Sequence, residues 1–195
     1  MLPIAEQLRQ PNDCSYPTGG AASGIGKATA LLLASRGANL ALADVRQDAL
    51  NEAINEIQTE HPSTKLVSSV VDVAKSDEVA NWLDKAVKQL GKFDGAANLA
   101  GITGSQGIKT IAQLDDQEWD AVMDVNLRGT FNCLRAEIGR MNDNGSIVNA
   151  SSIAGLRGSK AFAPYVTSKH AVIGLTRVAA KEVCERGIKV NAIAP

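Results

Sequence analysis

The chain has no charge excess to draw it to a polyanion: 20 lysines and arginines stand against 21 aspartates and glutamates in 195 residues, a net charge of -1. Nucleic acid and anionic membrane surfaces are therefore not implied as partners. It has no run of 18 apolar residues to span a bilayer. The start Met1-Leu-Pro-Ile-Ala-Glu-Gln also lacks the basic residues and long apolar stretch of a secretory signal. A cytoplasmic location is the expectation. Cysteine is scarce, and Cys14, Cys133 and Cys184 are odd in number and far apart, which fits reduced thiols rather than a disulfide framework. The two histidines, His61 and His170, form no cluster, and no cysteine pair has ligand spacing, so no metal site is expected. What remains is a composition of 45% hydrophobic and 21% charged residues, long enough for one domain with a substantial core.

Only two tyrosines are present, and one lies in the stretch that carries the most chemistry, Ser152 to Lys169. A helix starting near Ala163 puts Tyr165 and Lys169 at i, i+4 on one face, an ammonium beside a phenol. A free phenol has a pKa near 10, and bringing it to about 7 takes roughly 4 kcal/mol, about what one positive charge at ~4 Å supplies at an effective dielectric of ~20. Lys169 thus suits Tyr165 to act as an acid or base, and Ser152, arriving from a separate segment, suits donation to a substrate oxygen. A lone Tyr-x-x-x-Lys is weak evidence, and its weight comes from the rest of the chain.

Residues 1–17 read as an irregular segment, because Pro11 and Pro17 argue against a central strand. Thr18-Gly-Gly-Ala-Ala-Ser-Gly24-Ile-Gly26-Lys27 then opens the apolar segment Ala28 to Arg36, which ends at Gly37. Gly20, Gly24 and Gly26 leave bare amides at a helix N-terminus, where the dipole favours a phosphate. A P-loop would need Gly at Ala21 and Ser or Thr at Ala28. Asn39-Leu-Ala-Leu-Ala-Asp44 reads as a buried strand whose terminal carboxylate stands where an acidic side chain binds adenosine ribose hydroxyls and repels a 2'-phosphate. Arg46 nearby works against that repulsion, yet NAD is preferred over NADP. Further on come a helix over 48–59, a strand Leu66–Val73 with Asp72, a helix Ser76–Leu90 and a small-residue strand through Asn98 to Gly101. A long helix Asp116–Met141 with Asn126, a strand Ser146–Ser151, a helix Ala163–Glu185 and a strand Ile188–Ile193 complete the pattern. Such alternation predicts an α/β fold, a Rossmann-like doubly wound parallel sheet with helices on both faces. Asp44, Asp72, Asn98 and Ser152 all fall at carboxyl ends of strands, where ligands of such sheets bind.

From Thr18 to Pro195 the chain resembles the short-chain dehydrogenase/reductases. The resemblance rests on Gly20-x-x-x-Gly24-x-Gly26, Asp72, Asn98-Leu-Ala-Gly101, Asn126, Ser152, Tyr165-x-x-x-Lys169 and Asn191-Ala-Ile-Ala-Pro195, all in the family's order. It implies an oxidoreductase moving hydride between NAD(H) and an alcohol or ketone. Tyr165 would exchange the proton, Lys169 would lower its pKa and hold the nicotinamide ribose, Ser152 would orient the substrate oxygen and Asn126 would anchor a relay water. The implied cofactor-binding set is Gly20, Ser23, Gly24, Ile25, Gly26, Asp44, Asp72, Val73, Asn98, Ala100, Gly101, Tyr165 and Lys169. A homodimer or homotetramer through the helices around Asn126 and after Tyr165 is the implied assembly.

The sequence also departs from the family. Asp13-Cys-Ser-Tyr-Pro17 stands where a hydrophobic central strand is usual, Thr18 is one residue farther from Gly24, Leu99 replaces a second Asn, and Pro195 ends the chain before a substrate-covering loop and last strand. The expectation is a single NAD(P)-binding Rossmann domain over 18–195, incomplete at both ends. A non-catalytic relative that keeps the fold as a binding or oligomerisation module stays open as the alternative.

Overall fold

The computed structural model describes residues 14–105 and 107–195. Six strands, β1 Ser15–Gly19, β2 Asn39–Asp44, β3 Leu66–Val70, β4 Phe93–Asn98, β5 Met141–Ala150 and β6 Lys189–Ile193, form one sheet in the order β3-β2-β1-β4-β5-β6. Every pairing is parallel. Between them run α1 Gly24–Ser35, α2 Gln47–Glu60, α3 Ser76–Leu90, α4 Asp116–Met123, a π-helical turn Asp124–Arg128, α5 Gly129–Ile138 and α6 Ala163–Glu182. The winding reverses between β1 and β4, so their carboxyl ends open a crevice, the place where doubly wound sheets hold ligands.

Strand β2 explains why helices cover both faces. All six of its residues are buried; Leu40 and Leu42 face a core with Ala30, Ala34, Leu50 and Ile57, while Ala41 and Ala43 face another with Val79, Trp82, Phe93 and Ile147. Successive side chains point to opposite faces, so a continuous apolar run needs a layer on each side. Helices α1 and α2 supply one layer and α3, α5 and α6 the other. None of the helices among the described residues is long and apolar enough to cross a membrane.

The expectation that no first strand exists is corrected: β1 occupies the centre of the sheet, paired with β2 from Ser15 to Gly19 and with β4 at Thr18 and Gly19. Pro17 is tolerated because of the side it faces. The Cys14 carbonyl accepts from the Asn39 N–H on the β2 side, whereas Ser15 N–H donates to Asp94 Oδ2 and the Gly19 carbonyl accepts from Leu99 N–H on the β4 side. Alternate residues of a strand address the same neighbour, so the missing Pro17 donor falls toward β4, before that ladder begins, and β2 loses nothing. The expected irregular segment therefore ends before Ser15; residues 1–13 lie outside the described residues.

Other bounds shift for local reasons. The helix expected over Asp116–Met141 is broken by the π turn, and β5 starts at Met141 rather than Ser146 because Arg186 holds the Met141 and Ile138 carbonyls at 2.6 and 2.7 Å. Asn142 reaches Asp94 Oδ1 at 2.9 Å, and the β4–β5 register jumps between Phe93 and Gly95.

Candidate active site

The glycine turn is built as tightly as a phosphate cradle requires. Gly20 has φ +73, and a Cβ there would stand 2.8 Å from the Ala100 backbone nitrogen; a Cβ on Gly26 would stand 2.0 Å from the Gly20 carbonyl oxygen. Gly24 has φ +51 and open space before it. Ser23 stands at the N-cap of α1 without a side-chain hydrogen bond to the helix amides, and Ser23, Gly24 and Ile25 are exposed. The first amides of α1 are therefore left for an anion, and the turn fits a dinucleotide pyrophosphate.

Asp44, 7% exposed, ends β2 beside this turn. Its Oδ2 accepts the Ala22 N–H at 3.1 Å, and its Oδ1 accepts from the Arg46 N–H and Nε at 3.0 and 3.2 Å. Arg46 also donates from Nη2 to Ser23 Oγ at 2.7 Å, which brings to the edge of the site the guanidinium that the sequence reading set against the Asp44 charge. Asp72 first serves its own turn: its Oδ1 accepts the Ala74 N–H at 3.0 Å, and its N–H donates to Glu78. Asn132 fixes that turn, donating to the Val73 and Ala74 carbonyls. Val73, Asn98 and Ala100 meet Gly19 and Gly129 around a small cleft. The Asn98 side chain, however, turns away into the interior, donating to Glu137 Oε2 and Asn149 Oδ1, so only its backbone can serve a ligand in the crevice.

At the other end of the crevice, Tyr165 and Lys169 share one face of α6, with Lys169 Nζ 5.5 Å from the Tyr165 ring centroid. Lys169 is 4% exposed, and its Nζ donates to the Ala150 carbonyl at 2.8 Å. Burial pulls its pKa down to about 8. Gly101 makes this packing possible, since a Cβ there would stand 3.2 Å from Asn126 Oδ1 and 3.3 Å from Lys169 Nζ. Asn126, fully buried in the π turn, accepts the Ile102 N–H at 2.8 Å and donates to the Ile102 carbonyl at 2.8 Å and to Ser168 Oγ at 3.0 Å. Ser152 follows β5, where its Oγ accepts the Ala154 N–H and donates to the Pro195 carbonyl at 3.4 Å. Ser151 ties this segment to α6 by donating to the Lys169 carbonyl at 2.8 Å. Ser151, Asn132, Asn149 and Ser168 are supports that the sequence reading missed; for Asn149 and Ser151 the available signal was a polar residue on the buried side of the strand Ser146–Ser151, and for Asn132 and Ser168 there was none. Among the described residues no group of three His, Cys, Asp or Glu is placed to hold a metal ion.

Comparison with known proteins gives a consistent result. The short chain dehydrogenase family profile matches residues 18–195. The short-chain dehydrogenase/reductase aba4 of Botryotinia fuckeliana is 51% identical over 177 residues, covering 90% of this chain and 68% of that protein. The short-chain dehydrogenase/reductase ABA4 of Pyricularia oryzae is 46% identical over 197 residues, covering 100% of this chain and 70% of that protein. Among solved structures, an NAD+-bound xylitol dehydrogenase superposes with a TM-score of 0.90 at 34% identity, over 96% of this chain and 71% of its own. A profile that fits from Thr18 to the last residue, on a sheet wound in the same way, places this chain in the short-chain dehydrogenase/reductase family of oxidoreductases.

Proposed function

We propose that the chain carries the hydride-transfer site of an NAD(P)-dependent oxidoreductase acting on an alcohol or ketone, with Asn126, Ser152, Tyr165 and Lys169 as its catalytic residues. The observation that carries this reading is the Lys169 ammonium 5.5 Å from the Tyr165 ring, at the crevice end of the sheet to which β5 also brings Ser152. Bound nicotinamide would supply the hydride donor or acceptor. In oxidation Tyr165 Oη takes the proton of the substrate hydroxyl as its carbon loses hydride, and in reduction it returns that proton to the carbonyl oxygen. The Lys169 ammonium offsets the negative charge left on the phenolic oxygen, and Ser152 Oγ donates to the substrate oxygen. Asn126 holds Ile102 and Ser168 beside Lys169, the position from which it would anchor a water relaying protons to solvent.

The phosphates fall to the glycine turn Gly20 to Gly26 with Ser23 and Ile25, and the adenosine end to Asp44, Asp72 and Val73. NAD is the preferred form, because Asp44 meets the ribose with a carboxylate, although Arg46 tempers that preference. A homodimer or homotetramer through α4, α5 and α6 is supported by the exposed Trp119, Phe131 and Val178 there. Those same exposed apolar side chains are what favour the second reading, a module that binds or oligomerises without catalysis. The thiols Cys14, Cys133 and Cys184 form no disulfide, which supports a cytoplasmic setting.

The test is a titration of the purified chain with NADH and NADPH, followed by nicotinamide fluorescence, and turnover of wild type against Tyr165→Phe. NADH is expected to bind more tightly than NADPH, and the substitution is expected to lower turnover about 10³-fold while cofactor affinity stays within about threefold. Unchanged turnover would refute the role given to Tyr165, and no binding of either cofactor would favour the non-catalytic reading.

A further inference from the structure

Helix α5 buries a carboxyl group completely: Glu137 is 0% exposed. Its Oε2 accepts from Asn98 Nδ2 at 2.9 Å, and the same Nδ2 donates to Asn149 Oδ1 at 3.0 Å. Asn149 Nδ2 in turn donates to Thr176 Oγ1 at 3.0 Å, and Thr176 donates to the Val172 carbonyl at 2.7 Å. Asn98, Asn149 and Thr176 are each no more than 5% exposed. One interior chain of hydrogen bonds therefore joins α5, β4, β5 and α6.

Its place in the sheet matters more than its length. Asn98 and Asn149 are register partners at the carboxyl ends of β4 and β5. Just beyond Asn98 lies Gly101, against Asn126 and Lys169; just beyond Asn149 lies Ser152. The network thus sits directly beneath the two segments that meet the reacting groups.

Two buried atoms in it lack a partner, Asn98 Oδ1 and Glu137 Oε1. They are the amide oxygen and the second carboxyl oxygen of the two side chains that already share one hydrogen bond. A carboxylate would leave two acceptors facing a core with no donor, whereas a protonated carboxyl supplies the missing donor, directly or through one water. Burial, opposed only by the Asn98 hydrogen bond, pushes the Glu137 carboxyl up to about 7. Charged groups on the surrounding elements are engaged elsewhere: Asp84 of α3 with Arg140, Lys85 of α3 with the Ser68 carbonyl, and Lys169 of α6 with the Ala150 carbonyl. The Cys133 thiol, also buried on α5, is itself pushed well up by burial and by Glu137.

We propose that Glu137 is a positioning residue for the hydride-transfer site: as a neutral acid paired with the Asn98 amide, it keeps the carboxyl ends of β4 and β5 in register and so places Gly101 and Ser152. The inference rests on the functional reading above. Glutamine reproduces the donor and acceptor of the neutral acid at every pH, and leucine removes both.

The experiment measures NADH affinity by nicotinamide fluorescence for the full chain, Glu137→Gln and Glu137→Leu from pH 6 to pH 9, with urea unfolding of each. At pH 6 the glutamine variant is expected within about threefold of wild type, and the leucine variant, still unfolding cooperatively, weaker by about tenfold or more. Toward pH 9 wild type falls behind the glutamine variant by about tenfold. The ratio of those two affinities cancels every titration they share, Lys169 included. A glutamine variant as weak as the leucine variant at pH 6, a folded leucine variant that binds like wild type, or a wild-type to glutamine ratio flat with pH would each overturn the proposal. If the leucine variant does not fold, the glutamine ratio alone decides. Binding by none of the three at any pH would instead sink the functional reading, and the proposal with it.

Discussion

Gly26 has no room for even a methyl group, because its Cβ would meet the Gly20 carbonyl oxygen at 2.0 Å and carbon at 2.8 Å. Both obstacles are backbone, so Gly26→Ala must open the turn rather than turn a side chain aside. The expected cost is about 3 kcal/mol of stability, with cofactor affinity down at least about tenfold. Gly24→Ala meets open space and pays only for φ +51, about 1 kcal/mol. Urea midpoints and NADH titrations of the two variants check this contrast, and equal effects would refute it. The spacing of these glycines was legible in the sequence, but which one needs space and which one needs a positive φ was not, since that depends on what the fold lays against each. Asn98 teaches the same lesson. Its place at a strand end was legible, yet its side chain answers to Glu137, a residue whose burial no periodicity announced.

The π turn Asp124–Arg128 lets one side chain hold two elements at once. Asn126 is fully buried there and bonds both backbone groups of Ile102 and the Ser168 hydroxyl, fastening the loop after β4 to α6. A π turn widens the helix by one residue per turn and commonly marks functional positions. Asn126→Ala is expected to cost about 2 kcal/mol, since two partners lose their hydrogen bonds. It should also remove the exchange protection of the Ile102 amide while leaving that of the β2 amides intact. Unchanged protection at Ile102 would show that the loop is held by something else. The sequence placed Asn126 on a helix but ran that helix unbroken to Met141, because a π turn keeps helical periodicity within one residue. Strand β1 failed for the opposite reason: Pro17 looked fatal to a central strand, and only the observed pairing shows that its missing donor faces the unladdered part of β4. Helix α6, by contrast, starts at Ala163, where the sequence reading put it, with Pro164 suited to its first turn.

Over the whole molecule, two of the buried ionisable groups, Glu137 and Lys169, have opposing slopes of stability against pH. Glu137 binds its proton more tightly in the folded chain, with its pKa raised from 4.5 to about 7. Between those values the folded state holds a proton that the unfolded chain releases, so stability is fully present below the unfolded value and falls as pH rises, by up to about 3 kcal/mol. Lys169 goes the other way, from 10.5 down to about 8. From about 8 to 10.5 the unfolded chain holds a proton that the folded state has released, so stability rises across that window by a similar amount, up to about 3 kcal/mol. Together they place a trough between pH 7 and 8, where each group sits in the form that burial penalises: the Glu137 carboxylate and the Lys169 ammonium. Shifted groups on the surface, such as Lys75, Glu78 and Asp115, are common to all variants and cancel in differences. Glu137→Gln is therefore expected to gain on wild type as pH climbs from 5 to 7, and Lys169→Met to lose its advantage as pH climbs from 8 to 10. Urea midpoints across those two windows decide the matter, because a constant difference from wild type in either window means that the group there does not change its proton affinity on folding. A trough deepest where the ammonium is retained also gives a reason for keeping Lys169 despite its cost: the charge that weakens the fold near neutral pH is the one the proposed proton transfer at Tyr165 requires.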